Sequence, residues 1–194
     1  MKNKNYKQRC IEVRDAVVTE NDGKMILEGY AVVFNSPTVL WREGDVEYKE
    51  MISAEAFKNT DMSDCCLKYN HGGMLMARVR GGSLQLTVDN MGLKFRAELF
   101  NITSSRDVYE LVKAGALDKC SFAFSVKEES YNKDTHTRTI LQIEKLYDVA
   151  VVDIPAYGDT SVSARNLFEM DIENERKELD NLNLRNELIC RTYL

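Results

Sequence analysis

The chain has 194 residues, 44% of them apolar and 29% charged, with a net charge of −5 at neutral pH. That length suits one domain with room for an appendage, and the balance is ordinary for a globular protein. An acidic chain lacks the clustered Lys and Arg that a nucleic-acid surface needs. No apolar run reaches the roughly 18 residues of a membrane helix, so neither nucleic acid nor membrane is expected as a partner.

The first ten residues are basic, but no apolar segment follows them, so no signal peptide is expected. Cys10, Cys65, Cys66, Cys120 and Cys190 include no C-x-x-C pair, and the chain has two histidines. No zinc site and no cofactor are expected, and the cysteines read as reduced thiols of an intracellular protein.

In chain order, residues 8–18 and 24–34 read as strands joined by Glu20-Asn21-Asp22-Gly23, a hairpin turn with positive-φ positions at Asp22-Gly23. Asn35-Ser36-Pro37 leads to a loop, Trp41 to Asp45, and then a short strand over 46–52. Ser53 is placed to cap a brief helix, Ala54 to Asn59, anchored by Phe57. Residues 65–70 form a strand running directly into His71-Gly72-Gly73. Residues 83–89 and 92–100 make a second hairpin through Asp89-Asn90-Met91-Gly92. Then the period changes. Ser104 is placed to cap a helix with Val108, Leu111 and Val112 on one face and Gly115 past its end.

Asp118-Lys119 turns the chain into a strand from Cys120 to Val126. Cys120, Phe122, Phe124 and Val126 share its core face. Ser121, Ala123 and Ser125 share the other, where small side chains would let an extended peptide approach Ser121. Glu128 to Arg138 is a polar loop or hairpin tip containing His136, and Thr139 to Ile154 is strand-like again. The sum is an α+β domain on a mostly antiparallel barrel or sandwich. From Ser163 the composition shifts, and Ile172, Leu179, Leu182 and Ile189 keep a heptad-like spacing among charges. The division is a domain of 1–162 and a helical tail of 163–194, and the tail is expected to be an association element rather than part of the core, folding against a second copy of itself, the scaffold or its own domain, so self-association is expected.

A serine hydroxyl is a weak nucleophile unless a base within hydrogen-bond reach takes its proton and a third group orients that base. His71, at the end of an apolar strand with two glycines behind it, is the better candidate base. His136 lies in polar surroundings. Cys120 is the rival nucleophile, although alternation turns it into the core, where a thiol acts as a small apolar group.

These motifs fall in a telling order: Tyr69-Asn70-His71, Gly92-Leu93, Gly115-Ala116-Leu117, Cys120-Ser121-Phe122-Ala123-Phe124, Leu146-Tyr147-Asp148-Val149-Ala150-Val151-Val152 and Pro155-Ala156. Together they closely resemble the prohead maturation serine proteases of tailed bacteriophages. Gly29-Tyr30-Ala31-Val32-Val33-Phe34-Asn35, Glu50-Met51-Ile52 and Ala56-Phe57 fit the same family, so the resemblance spans about residues 10–160. It implies a fold related to herpesvirus assemblin, a β-barrel wrapped by helices. It implies Ser121 as nucleophile, His71 as general base and Asp148 as third member. Assemblin's use of a second histidine keeps His136 as a candidate for that third place. It also implies partners, namely scaffold protein, the scaffold segment of the major capsid protein and the protease itself, met inside the procapsid in the host cytoplasm. Two positions depart from the family's pattern: Glu55 and Ala123 stand where glycine is common, and Ala123 would narrow the pocket. Arg78 and Arg165 are candidate helpers at the oxyanion. The competing reading is a non-catalytic assembly protein that keeps the same β-fold.

Overall fold

Alternation of apolar and polar residues dominates the chain, and it folds accordingly into strands. The computed structural model describes residues 6–11, 17–21, 23–153 and 161–192. Among these are β1 (Tyr6–Ile11), β2 (Val17–Asn21), β3 (Lys24–Val33), β4 (Thr38–Glu43), β5 (Val46–Ile52), β6 (Cys66–Tyr69) and β7 (Leu75–Arg78). Then come β8 (Leu84–Val88), β9 (Gly92–Glu98), α1 (Thr103–Lys113), β10 (Lys119–Asn132), β11 (Thr137–Val152) and α2 (Ser161–Thr192). The fold is α+β.

A larger sheet runs β1-β10-β11-β5-β4, with β6 on β11 and β7 on β6; a smaller one runs β2-β3-β9-β8. The 16-residue β11 is the spine. Its first four residues pair in parallel with β5, Thr137 to Ile140 against Lys49 to Ile52. Its last part pairs in parallel with β6, Asp148 to Val151 against Cys66 to Tyr69. The other ladders are antiparallel. Because β11 spends one edge on two different partners, the described ladders form two open sheets and do not close into the expected barrel. The main core draws on both sheets, with Leu27, Leu93 and Phe95 from one and Phe122, Phe124, Ile143, Leu146 and Val149 from the other.

Several elements differ from the sequence reading for local reasons. The strand expected over 8–18 is two strands in different sheets, β1 on β10 and β2 on β3. Asp22 lies outside the described residues, but Gly23 has the positive φ (75°) that the hairpin turn requires. Trp41 to Glu43 belongs to β4, so the expected loop shrinks to Gly44-Asp45, with φ 59° at Gly44. Residues 54–59 make successive turns rather than a helix. The Ala56 carbonyl is taken by the Ile143 N–H at 2.9 Å and by the Thr60 hydroxyl. Buried Phe57 still anchors the segment, as expected.

The hairpin β8–β9 closes as expected, with Asp89 Oδ1 accepting from the N–H groups of Met91 and Gly92. Gly92 is obligatory for a second reason: a Cβ there would lie 1.8 Å from the Val32 carbonyl oxygen. Helix α1 starts one residue before Ser104, and its N-cap Ile102 offers no side-chain cap. Val108 and Val112 are buried, but Leu111 is exposed and Tyr109 takes its place. Gly115 (φ 72°) donates to Val112 O and Ala116 N–H donates to Leu111 O, a Schellman end. Strands β10 and β11 extend through most of the polar stretch and leave only 133–136 as the hairpin tip.

Helix α2 packs its first half against that hairpin and β4–β5. Phe168 and Ile172 are buried with Leu40 and Tyr48, and Trp41 and Tyr131 close the cluster. Arg138 on β11 ion-pairs with Glu129 and with Asp171 of α2, and lies 5.1 Å over the Phe168 ring. Farther along, Leu179 and Leu182 are more than half exposed; the Ile189 side chain lies outside the described ones.

Candidate active site

On β10 the alternation holds, but burial does not follow it. Cys120 to Ser125 are all buried, so the small-residue face is covered as well as the aromatic one. Ser121 is 1% exposed, which corrects the expectation of an open face. The aromatic face behaves as expected, with Phe122 and Phe124 stacked at 4.8 Å and Cys120 beside them in the core.

Register explains how distant residues meet. Ser121 pairs with Ala150 across β10–β11, and Ala150 pairs with Lys68 across β11–β6. One step along, Ala123 pairs with Asp148, and Asp148 pairs with Cys66. Partners in a ladder present their side chains on the same face, so two short rows lie side by side. The other members of these rows on β10 and β11, Ala123 and Ala150, carry only methyl groups. A bulge follows at once, between Ala123 and Phe124.

His71 enters this face from the end of β6. Asn70 and His71 both take left-handed backbone, φ 48° and 56°, a conformation costing a non-glycine residue about 1 kcal/mol or more. The turn is held by Asn70 N–H donating to Val151 O at 3.0 Å and Gly73 N–H donating to Tyr69 O at 3.0 Å. Asn70 Oδ1 also accepts from the Asp153 N–H at 3.3 Å. Gly73 fits because a Cβ there would lie 2.8 Å from the Tyr69 oxygen. Strain held this firmly is common where a side chain must be aimed.

The imidazole reaches both expected partners. His71 Nδ1 lies 2.6 Å from Asp148 Oδ1, and Nε2 lies 2.5 Å from Ser121 Oγ. A carboxylate is an acceptor only, so Nδ1–H donates to it. Nε2 is then the unprotonated nitrogen that accepts from the serine hydroxyl. The arrangement can therefore take a proton from Ser121, with Asp148 fixing the tautomer. Asp148 is 2% exposed, and the His71 side chain is 12% exposed.

The other candidates are engaged elsewhere. The Tyr131 hydroxyl donates to Glu175 Oε1 of α2 at 2.7 Å, so His136 Nδ1–H donates to the hydroxyl oxygen at 3.2 Å, and the imidazole also faces Glu175. It lies just before the start of β11, on the order of 40 Å along the chain from Asp148. It is half-buried by these contacts and by the Tyr48 ring, not solvated as its polar neighbours suggest. Arg78 forms a two-pronged pair with Asp64, at 2.7 and 2.5 Å, which holds the Asp64 carboxyl below the usual range. The Arg165 side chain and Pro155-Ala156 lie outside the described ones. Lys68 was not singled out from the sequence, yet its ammonium stands 3.8 Å from Asp148 Oδ2. The available signal was parity: in Cys66-Leu67-Lys68, Leu67 is buried, so Lys68 must face the other way.

The chain matches the caudovirus prohead serine protease family over residues 11–176. It belongs to that family. This prohead protease is a serine protease, acting in capsid maturation. Its match begins in β1 and runs into α2 as far as Arg176, so it includes both sheets and the docked half of the terminal helix. The solved structure of the bacteriophage T4 capsid assembly protease overlays with a TM-score of 0.49 at 10% identity, over 76% of this chain and 97% of that one. No curated protein shows significant similarity to the chain. No helix among the described residues is long and apolar enough to cross a membrane.

Proposed function

We propose that Ser121, His71 and Asp148 are the catalytic triad of this prohead protease. The observation that carries the reading is the continuous chain of hydrogen bonds from Ser121 Oγ through the imidazole to Asp148. His71 Nε2 takes the Ser121 proton as Oγ attacks the peptide carbonyl. The imidazolium, stabilised by Asp148, then protonates the leaving amine, and water hydrolyses the acyl-enzyme by the same base. Cys120, in the core among aromatic rings, takes no part. The substrates are scaffold protein or the scaffold segment of the major capsid protein, and the protease's own chain. The reaction runs inside the procapsid, in the host cytoplasm.

The test is to incubate the full chain with its scaffold and major capsid proteins and to map products by mass spectrometry. Wild type should yield discrete new termini in the scaffold region and in the protease. Ser121→Ala should yield none while melting like wild type. Intact substrates with the wild-type chain in assembled particles would favour a non-catalytic assembly role instead. Cleavage that survives Ser121→Ala and vanishes in Cys120→Ala would move the nucleophile to the thiol.

A further inference from the structure

A carboxylate that orients a histidine uses one oxygen for the task, and the fate of the other decides how firmly it is held. Asp148 gives Oδ1 to His71. Its Oδ2 faces Lys68 Nζ at 3.8 Å. That is beyond hydrogen-bond range, so Lys68 acts through its charge. The Asp148 side chain is 3% exposed and that of Lys68 is 31% exposed, so water screens the pair less than on an open surface. Geometry supports the pairing independently: Lys68, Ala150 and Ser121 occupy one row across β6, β11 and β10, next to the row of Cys66, Asp148 and Ala123.

We propose that Lys68 is a positioning residue of the triad. Its ammonium keeps the Asp148 carboxylate turned with Oδ1 toward His71 and offsets part of the negative charge that the imidazole faces. The positive charge of Lys68 then opposes part of the stabilisation that Asp148 gives to the imidazolium. This rests on the reading of Ser121, His71 and Asp148 as the triad. Cys10 on β1 stands in register with Ser121, and among the described side chains the other titratable groups on and beside the neighbouring strands include these. Cys66 shares the row of Asp148. The Cys65 thiol is pushed up, by burial first and then by the Asp148 charge. Tyr69 is raised by burial and by its bond to Asp153. Arg78 and Lys145 are paired with Asp64 and Asp61.

The experiment is the rate of fluorophosphonate labelling of the full chain from pH 5 to 9, mapped to the labelled residue. Ser121→Ala and His71→Gln must abolish labelling; if they do not, the triad reading itself fails, whatever Lys68 does. With that established, Lys68→Met should move the acid limb of the rate profile up by about 0.5–1 pH unit. Lys68→Gln should do the same, which guards against a folding defect peculiar to methionine. Lys68→Arg, which keeps the charge, should stay within about 0.2 unit of wild type. An acid limb that is unmoved or lowered in both uncharged variants, with Ser121 still labelled, overturns the proposal. So does an arginine limb displaced as far as theirs.

Discussion

Asp148 and His136 are the two residues between which the sequence leaves the third place of the triad open, and their surroundings separate them. Asp148 is buried against His71, whereas His136 is tied to Tyr131 and Glu175 in the hairpin tip before the far end of β11. Asp148→Asn should therefore lower the rate of proteolysis by on the order of 10⁴, since an amide leaves the imidazole in the wrong tautomer. His136→Ala should change it less than about threefold while loosening α2. Steady-state rates with a scaffold-derived peptide check this, and a larger loss in His136→Ala would reverse the assignment. Ser121 and His71 were legible as the proposed nucleophile and base because a serine on a small-residue strand face and a histidine before two glycines both leave patterns in the sequence. Lys68 left almost none. Its contribution depends on β6 lying parallel to β11 in one register, and no local pattern specifies a pairing between segments about 80 residues apart.

At the scale of elements, what was legible is what is local. Gly23, Gly115 and the Asp89 turn mark their chain reversals because each meets a backbone demand within a few residues. What was missed is non-local. Strand β4 hides behind Pro37 and a bulge between Val39 and Trp41, and in residues 54–59 the Ala56 carbonyl is taken by the Ile143 N–H of distant β11. Gly92 reads as a turn glycine, yet its stricter role is the close approach of β9 to β3. Gly92→Ala should force those strands apart and cost about 3 kcal/mol, measured by urea denaturation; a loss below about 1 kcal/mol would show that the ladder adjusts freely. Phe168 is the corresponding anchor of α2, fully buried against Tyr48 and Tyr131. Phe168→Ala should cost about 3 kcal/mol, and an unchanged denaturation midpoint would mean that the helix does not dock in solution.

For the whole molecule, the tail divides at about Glu178, which pairs with Lys133 at the hairpin tip. A chain ending at Ala164 loses Phe168 and Ile172 from the second cluster and should melt roughly 10 °C lower. A chain ending at Glu178 should melt like the full chain and lose only the surface on which Leu179 and Leu182 are exposed. Light scattering on the two truncations then assigns any self-association to that outer half; association retained after truncation at Glu178 would exclude it. Acid stability is a second property of the whole. Asp64 is held low by its bonds to Arg78, and Asp61 is held low by Ser63 and Lys145. A depressed folded pKa stabilises above the unfolded value of about 3.9 and is lost as pH falls through the folded one. Melting temperature should therefore drop below about pH 4, and Asp64→Asn should flatten that drop. Asp171, raised by burial despite Arg138, works in the opposite sense, so Asp171→Asn should steepen it. Equal pH slopes in Asp64→Asn and wild type would contradict the assignment. Whether the hydrogen-bonded serine is the activated one is read by residue-level mapping of a fluorophosphonate adduct on the full chain at neutral pH. A single adduct on Ser121 that disappears in His71→Gln is expected; no adduct, or one on another residue that survives Ser121→Ala, would contradict the activation of Ser121.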